Sequence, residues 1–132
     1  MKDSIDRLKK ANIKPSAQRL AIAEYVLTTV EHPSADEVWQ KVRAGFPMVS
    51  RATVYNTLNL FVERGLLRTY TINEGHVVFD PNTSDHNHFV DEVTGAIEDL
   101  PLGVLKVSTE GLQDKYEISD CHVILRGRKK TI

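Results

Sequence analysis

Two histidines separated by one residue form the most chemically distinctive pattern in the chain. His86 and His88 follow a proline-led polar segment, and apolar Phe89 and Val90 come directly after them. Alternate side chains of a β-strand point to the same face, so a strand over residues 86–91 would place both imidazoles side by side. Paired imidazole nitrogens on one face suit a transition-metal ion. The spacing therefore predicts a metal site on this strand.

Carboxylates near the histidine pair could complete such a site. Asp80 ends an apolar, strand-like run. Asp85 is a weaker candidate, because it lies directly before the pair and on the opposite face of the strand. Nitrogen and carboxylate ligands without a thiolate favour Fe²⁺ or Mn²⁺, although Zn²⁺ and Ni²⁺ would also bind by the affinity order.

A third carboxylate is supplied by a predicted hairpin. A turn at Thr94-Gly95 would fold the following strand back and place residues 98–100 opposite 89–91. One bulge or slip of this register would bring Asp99 within reach of His88.

The other histidines, taken singly, favour ordinary roles. His32 lies in a loop before Pro33, where a hydrogen-bonded surface histidine is the common outcome. His122 follows Cys121 on a strand-like run, which favours a packed or surface histidine, and His76 lies at a predicted hairpin turn, where it would be exposed. By their positions alone, none of the three predicts a metal ligand.

Helical patterns dominate the first 65 residues. Ser34 and Glu37 have the spacing of a capping box, Ser50 can cap a further helix, and Gly65 would end that helix. We predict helices over residues 2–11, 17–27, 35–44 and 51–64, then strands over 66–72 and 76–79 joined by Asn73-Glu74-Gly75. This is the order of a winged helix-turn-helix domain, in which the second of the paired helices enters the major groove.

The helix predicted over residues 51–64 carries a polar face that could read DNA. Asn can pair with adenine, Arg with guanine, and Thr or Tyr with phosphate or a thymine methyl group. A solvated polar face is the alternative, but the helix-turn-helix order favours DNA. The predicted DNA contacts are Arg51, Thr53, Tyr55, Asn56 and Asn59, with Gln18 and Arg19 as further backbone contacts that surface charge would also explain.

The second part of the chain is predicted to be β-rich. We expect strands over residues 86–90 and 96–100 and at Val123-Ile124-Leu125, within a run from 118 to 126 that alternates poorly at first, with a helix over 104–116 that Gly103 and Gly111 interrupt. A unit of about 50 residues buries little core by itself, so pairing with a second copy of the chain is expected. The predicted fold is α+β: a winged-helix DNA-binding domain over 1–80, a hinge over 81–85 and a small α/β dimerisation domain over 86–132.

The composition is that of a soluble, cytoplasmic protein, with 41% hydrophobic and 27% charged residues. No apolar run approaches the roughly 20 residues of a membrane span, and the charged N-terminus lacks the apolar core of a signal peptide. One cysteine excludes an internal disulfide and a Cys₄ zinc site. Residues 1–80 have a net charge of +2 and the remainder −3, which mildly favours a DNA-facing first half.

Taken together, the motifs resemble the Fur superfamily of metal-dependent transcriptional repressors, and most closely its PerR, or peroxide-sensing, branch. The matching segments run in family order and are Gln18-Arg19, His32-Pro33-Ser34-Ala35-Asp36-Glu37-Val38, Ser50-Arg51-Ala52-Thr53-Val54-Tyr55-Asn56-Thr57-Leu58, Phe79-Asp80 and Thr83-Ser84-Asp85-His86-Asn87-His88. The resemblance implies a homodimer that binds a double-stranded DNA operator and has no enzymatic activity.

By this resemblance, a regulatory Fe²⁺ or Mn²⁺ ion would be held by His32, Asp80, His86, His88 and Asp99. Peroxide reacting at bound Fe²⁺ would then modify His32 or His86 and release the DNA. Aspartate at position 99, where iron-sensing relatives carry glutamate, resembles the peroxide-sensing type. The alternative is an iron-, manganese- or haem-responsive regulator of the same family without peroxide sensing.

The chain departs from many family members at their structural zinc site. The first of the two cysteine pairs is replaced by Asp91 and Thr94, and the second, which would fall near Lys129, is absent. Cys121 precedes His122 rather than the proline that haem binders of this family often use, which ranks haem sensing lower. A metalloenzyme is disfavoured, because no nucleophile accompanies the histidines and five protein ligands leave little room for substrate.

Overall fold

Four α-helices and five β-strands make up the parts of the chain that the structure describes, residues 1–73 and 75–131. The structure is a computed structural model. It divides the chain into two units, Met1–Thr83 and Ser84–Ile132. Each unit has its own secondary structure, and none of the described helices is both long and apolar enough to cross a membrane.

The first unit is a helical domain followed by a hairpin. Its elements are α1 (Lys2–Lys10), α2 (Ala17–Val26), α3 (Ala35–Gly45), α4 (Arg51–Glu63), β1 (Arg68–Ile72) and β2 (His76–Asp80). The two strands pair antiparallel, and Glu74 of the predicted turn lies outside the described residues. The order confirms the predicted winged helix-turn-helix arrangement and the α+β class.

A serine begins each of the three later helices. The hydroxyl oxygens of Ser16, Ser34 and Ser50 each accept a hydrogen bond from the backbone N–H three residues on. At α3 the carboxylate of Glu37 also accepts the backbone N–H of Ser34, at 3.0 Å, so the predicted capping box is confirmed. These bonds satisfy helix N–H groups that have no partner within the helix, and they fix where each helix starts.

The core of the first unit is apolar and draws on all four helices, with Leu8, Ile22, Val38, Leu58 and Phe61 fully buried. On α4, Val62 is only partly buried, whereas Thr57 lies inside.

Strand β2 joins this core through Phe79. The Phe79 N–H donates to the carbonyl of Pro33 at 2.9 Å. This bond fastens the end of β2 to the loop before α3, and it brings Asp80 beside that loop.

The second unit is a three-stranded sheet in the order β4-β3-β5. Strand β3 (His86–Asp91) pairs antiparallel with β4 (Ile97–Pro101) and parallel with β5 (Ile124–Gly127). The predicted register was wrong by two positions, because Asp99 pairs directly with His88. The turn explains the shift: the Asp91 carboxylate accepts the N–H of Val93 at 2.9 Å, which starts the turn earlier than predicted.

The helix predicted over residues 104–116 was wrong. The segment holds the end of a 3₁₀-helix, Leu102–Val104, followed by irregular chain and turns, and Gly111 has a left-handed φ of 86°. Helices in proteins are stabilised mainly by packing of an apolar face. Val107 and Leu112 remain exposed, so the segment has no such packing within the unit. The strand expected at Val123-Ile124-Leu125 is present as β5, which begins one residue later, at Ile124.

The contribution of the α3 capping box to stability can be measured by mutation. Replacing Ser34 with Ala should lower the free energy of unfolding by about 1 kcal/mol, because the N–H of Glu37 loses its acceptor. Chemical denaturation followed by circular dichroism measures the change. Ser34→Asp keeps a side-chain acceptor and is the matched control, and equal stabilities of the two variants would contradict the role of the cap.

Candidate functional site

The two histidines of β3 lie side by side, as their spacing predicts. The Nε2 atoms of His86 and His88 are 3.1 Å apart, and the ring centroids are 4.6 Å apart. Both residues are buried, with 5% and 0% of their surface exposed. Burial of two imidazoles at this distance needs polar partners, and the neighbouring strands supply them.

Asp99 on β4 completes a cluster of three. Its Oδ1 lies 3.4 Å from the Nε2 of His86 and 3.4 Å from the Nε2 of His88. An ion about 2.1 Å from each ligand atom would hold neighbouring ligand atoms about 3.0 to 3.4 Å apart. Two imidazole nitrogens and one carboxylate oxygen are therefore spaced as ligands of a single ion would be.

Hydrogen bonds on the far side of the His86 ring fix its orientation. The Nδ1 of His86 lies 2.7 Å from the carbonyl oxygen of Ser84. A carbonyl only accepts, so the neutral ring carries its proton on Nδ1 and presents a lone pair at Nε2. The nitrogen that faces His88 and Asp99 is thus the one able to bind a cation.

His122 joins the cluster from the other side. Its Nε2 lies 2.7 Å from the Nδ1 of His88. Burial, and then the charge of His88, lower the pKa of His122, which favours a neutral ring. The side-chain oxygen of Asn87 accepts the N–H of Val123 at 2.9 Å, and this bond holds the segment before β5 against β3.

The position of His122 is the main functional feature that the sequence did not reveal. The strand pattern favoured a packed or surface histidine, whereas the ring contacts a residue 34 positions away. Only the parallel pairing of β5 with β3 brings the two together. No local spacing signals such a pairing, because it depends on a long connection between the strands.

The first unit contains a second histidine–carboxylate pair. The Nε2 of His32 lies 3.3 Å from Oδ2 of Asp80, and both side chains are almost fully buried. The expected surface position of His32 was wrong: its φ of 53° turns the chain inward before Pro33. The Oδ1 of Asp80 accepts the N–H of Asn82 at 2.9 Å, which fixes the carboxylate. Asp85 is exposed and precedes β3.

The structure places most of the predicted DNA contacts on the exposed side of α4. Arg51, Tyr55, Asn56 and Asn59 are exposed, whereas Thr53 is half-buried and its hydroxyl accepts a hydrogen bond from Ser50 at 2.8 Å. On α2, Gln18 and Arg19 are half-buried, and the Arg19 guanidinium donates to the carbonyl of Lys14 at 2.8 Å. Contact of these residues with DNA stays a prediction.

The contacts between the three histidines of the second unit predict their tautomers. With His86 protonated on Nδ1, the 3.1 Å contact needs the proton of His88 on Nε2, and His122 then donates from Nε2 to Nδ1 of His88.

Long-range ¹H–¹⁵N correlation of the metal-free protein, above the ordinary histidine pKa of about 6.5, distinguishes these tautomers. The exposed His76 serves as the unconstrained control ring. A His86 ring that carries its proton on Nε2 would contradict the assignment.

The sequence matches a known protein family and several characterised relatives. The model of the ferric uptake regulator family matches residues 10–126. The peroxide operon regulator of Bacillus subtilis strain 168 is 38% identical over 100 residues, which cover 76% of this chain and 69% of that protein. The peroxide-responsive repressor PerR of Staphylococcus epidermidis is 37% identical over 100 residues, which cover 76% of this chain and 67% of that protein.

A solved structure, that of the Campylobacter jejuni peroxide stress regulator, superposes with a TM-score of 0.66 at 28% identity and covers 96% of this chain and 93% of that chain. The match of the family model spans most of the sequence, including both units. The chain belongs to the ferric uptake regulator family.

Proposed function

We propose that this protein is a dimeric, metal-dependent, DNA-binding transcriptional repressor of the cytoplasm that responds to peroxide. The observation that carries the proposal is the pairing of His88 with Asp99, which gathers two imidazoles and a carboxylate around one point. Relatives named as a peroxide operon regulator and a peroxide-responsive repressor support the choice of signal. Transcriptional regulators of this family are not enzymes, and the site is proposed to bind rather than to turn over a substrate.

The proposed ligands are His32 and Asp80 from the first unit, with His86, His88 and Asp99 from the second. All five offer nitrogen or carboxylate oxygen, a donor set that suits Fe²⁺ or Mn²⁺ and also accepts Zn²⁺. No structural Cys₄ zinc is proposed, because the sequence has a single cysteine, Cys121. An ion that took ligands from both units would fix their relative orientation and favour the form that binds DNA.

Metal binding would reverse one hydrogen bond of the second unit. His88 would hold the ion through Nε2, and its proton would then lie on Nδ1 and be donated to the Nε2 of His122. The neutral ring that the lowered pKa of His122 favours can accept this proton. His122 is therefore proposed to support the ligand without binding the ion.

Dimerisation is proposed to use the second unit. Leu102, Val104, Leu112, Ile118 and Leu125 are exposed there, and they form more apolar surface than a unit of this size can cover by itself. A second copy would bury it. In a dimer, two copies of the helix-turn-helix would meet two half-sites of an operator.

Peroxide sensing is proposed to depend on bound Fe²⁺, which would supply the one-electron chemistry that splits the O–O bond of H₂O₂. One oxygen atom of H₂O₂ would be added at a ring C–H of His32 or His86 and the other would leave as water, so that the ring itself supplies the two electrons that reduce the peroxide. His86 is suited to this role because its ring is held between Ser84 and the cluster and cannot turn away. An altered ring would lose its ligand geometry, and the DNA would be released.

The whole proposal is tested by measuring DNA affinity with Mn²⁺, with Fe²⁺ and with a chelator, each before and after peroxide treatment. We expect Mn²⁺ and Fe²⁺ to raise affinity for a duplex selected from a random pool, and a chelator to abolish the gain. Peroxide should release the DNA only from the Fe²⁺ form, with one oxygen atom added to His32 or His86 by mass spectrometry. DNA affinity that does not depend on metal would contradict the proposed role of the ion as a corepressor. Release without histidine oxidation would favour a sensor of iron, manganese or haem.

Asp99→Glu tests the carboxylate itself. The longer side chain keeps a metal ligand but changes the position of the oxygen that now lies 3.4 Å from both Nε2 atoms. We expect Mn²⁺ affinity to stay within about tenfold, whereas histidine oxidation by peroxide falls. Asp99→Asn, which removes the charge at constant size, is the control for simple loss of metal. An unchanged oxidation rate in Asp99→Glu would contradict the role of Asp99.

A further inference from the structure

Two arginines of the first unit share one aromatic ring. The guanidinium carbon of Arg43, on α3, lies 4.4 Å from the centre of the Trp39 ring, and that of Arg51, at the start of α4, lies 4.7 Å from it. Guanidinium groups are attracted to the face of an indole. The Nε1–H of Trp39 donates to the carbonyl of Val49 at 3.3 Å, so the ring is held in the turn between the two helices.

The charges around this ring do not balance. Asp36 pairs with the Nε of Arg51 at 3.3 Å, and the same oxygen accepts the hydroxyl of Tyr55 at 3.3 Å. Within the described part of the chain, Arg43 has no carboxylate at ion-pair distance. The cluster therefore contains two guanidinium groups and one carboxylate, and it carries a net positive charge at the surface.

The position of this arginine cluster in the fold indicates which anion would balance its positive charge. In a helix-turn-helix, the first helix crosses the DNA backbone and the start of the second enters the groove. Trp39 and Arg43 belong to the first of these helices, and Arg51 begins the second. Guanidinium groups match phosphate oxygens in a bidentate geometry.

We propose that Arg43 and Arg51 together hold one phosphate of the DNA backbone, with Trp39 as the positioning residue that keeps both guanidinium groups in place. The inference rests on the proposed DNA-binding function and adds Arg43 and Trp39 to its surface. It also changes the role of Arg51 from reading guanine to holding backbone. Asp36 limits the motion of Arg51 before DNA arrives, and the phosphate completes the charge of the cluster.

A phosphate contact has a signature that a base contact lacks. Arg43→Gln should weaken binding roughly tenfold at fixed salt, on a selected duplex and on a scrambled duplex alike. The slope of log affinity against log salt should fall by about 0.9, the value for one phosphate. Arg43→Lys keeps the charge and should keep the slope. Lys41→Gln removes an exposed cation from the same helix and is the matched control, with no change of slope.

The role of Trp39 is tested by replacing its ring. Trp39→Leu should reduce affinity at least as much as Arg43→Gln, whereas Trp39→Phe keeps an aromatic face and should restore part of it. The chain has one tryptophan, so the fluorescence of wild type reports on this site alone. We expect DNA to change that emission, and Arg43→Gln to reduce the change. Equal thermal unfolding midpoints show that the variants fold.

The outcomes separate this inference from the proposed function. A wild-type chain that binds neither duplex with Mn²⁺ or Fe²⁺ would reject the function and the inference together. Wild-type binding with an unchanged affinity and salt slope in Arg43→Gln would overturn the inference alone. Loss confined to the selected duplex would also overturn it, because that pattern belongs to a residue that reads bases.

Discussion

The pairing of β3 with β4 is the constraint on which the second unit depends. It sets Asp99 directly opposite His88, and its Oδ1 reaches both imidazoles at 3.4 Å. A shift by one residue would turn the aspartate to the other face of the sheet, where it could meet neither ring. The short turn after β3, held by the Asp91 carboxylate, therefore decides whether the carboxylate of Asp99 meets the two imidazoles.

The third strand of the sheet, β5, constrains the same histidines from another direction. Because β5 runs parallel to β3, a residue two positions before β5 can support the histidines from the side away from Asp99. His122 occupies that place, and Asn87 holds the connecting segment. The positions of Asp99 and His122 are thus set by two separate strand pairings, and the imidazole of His88 is constrained at both of its nitrogens.

Features carried by local spacing could be predicted from the sequence, and features carried by long-range pairing could not. The capping box of α3 and the shared face of His86 and His88 follow from periods of a few residues. The burial of His32 depends on a left-handed backbone and on the bond from Phe79 to Pro33. The predicted helix over 104–116 had a suitable length, but no apolar partner surface in its unit.

Within the first unit, the histidine–carboxylate pair and the arginine cluster are connected by a single helix. His32 lies two residues before Ser34, the cap of α3, and β2 is fastened to the same loop next to Asp80. Helix α3 then carries Trp39 towards the arginines. A change at the His32–Asp80 pair would act on the start of the helix whose Trp39 ring contacts the guanidinium groups of Arg43 and Arg51. Such a coupling would need no rearrangement of the core, because one capped helix lies between the pair and the arginines.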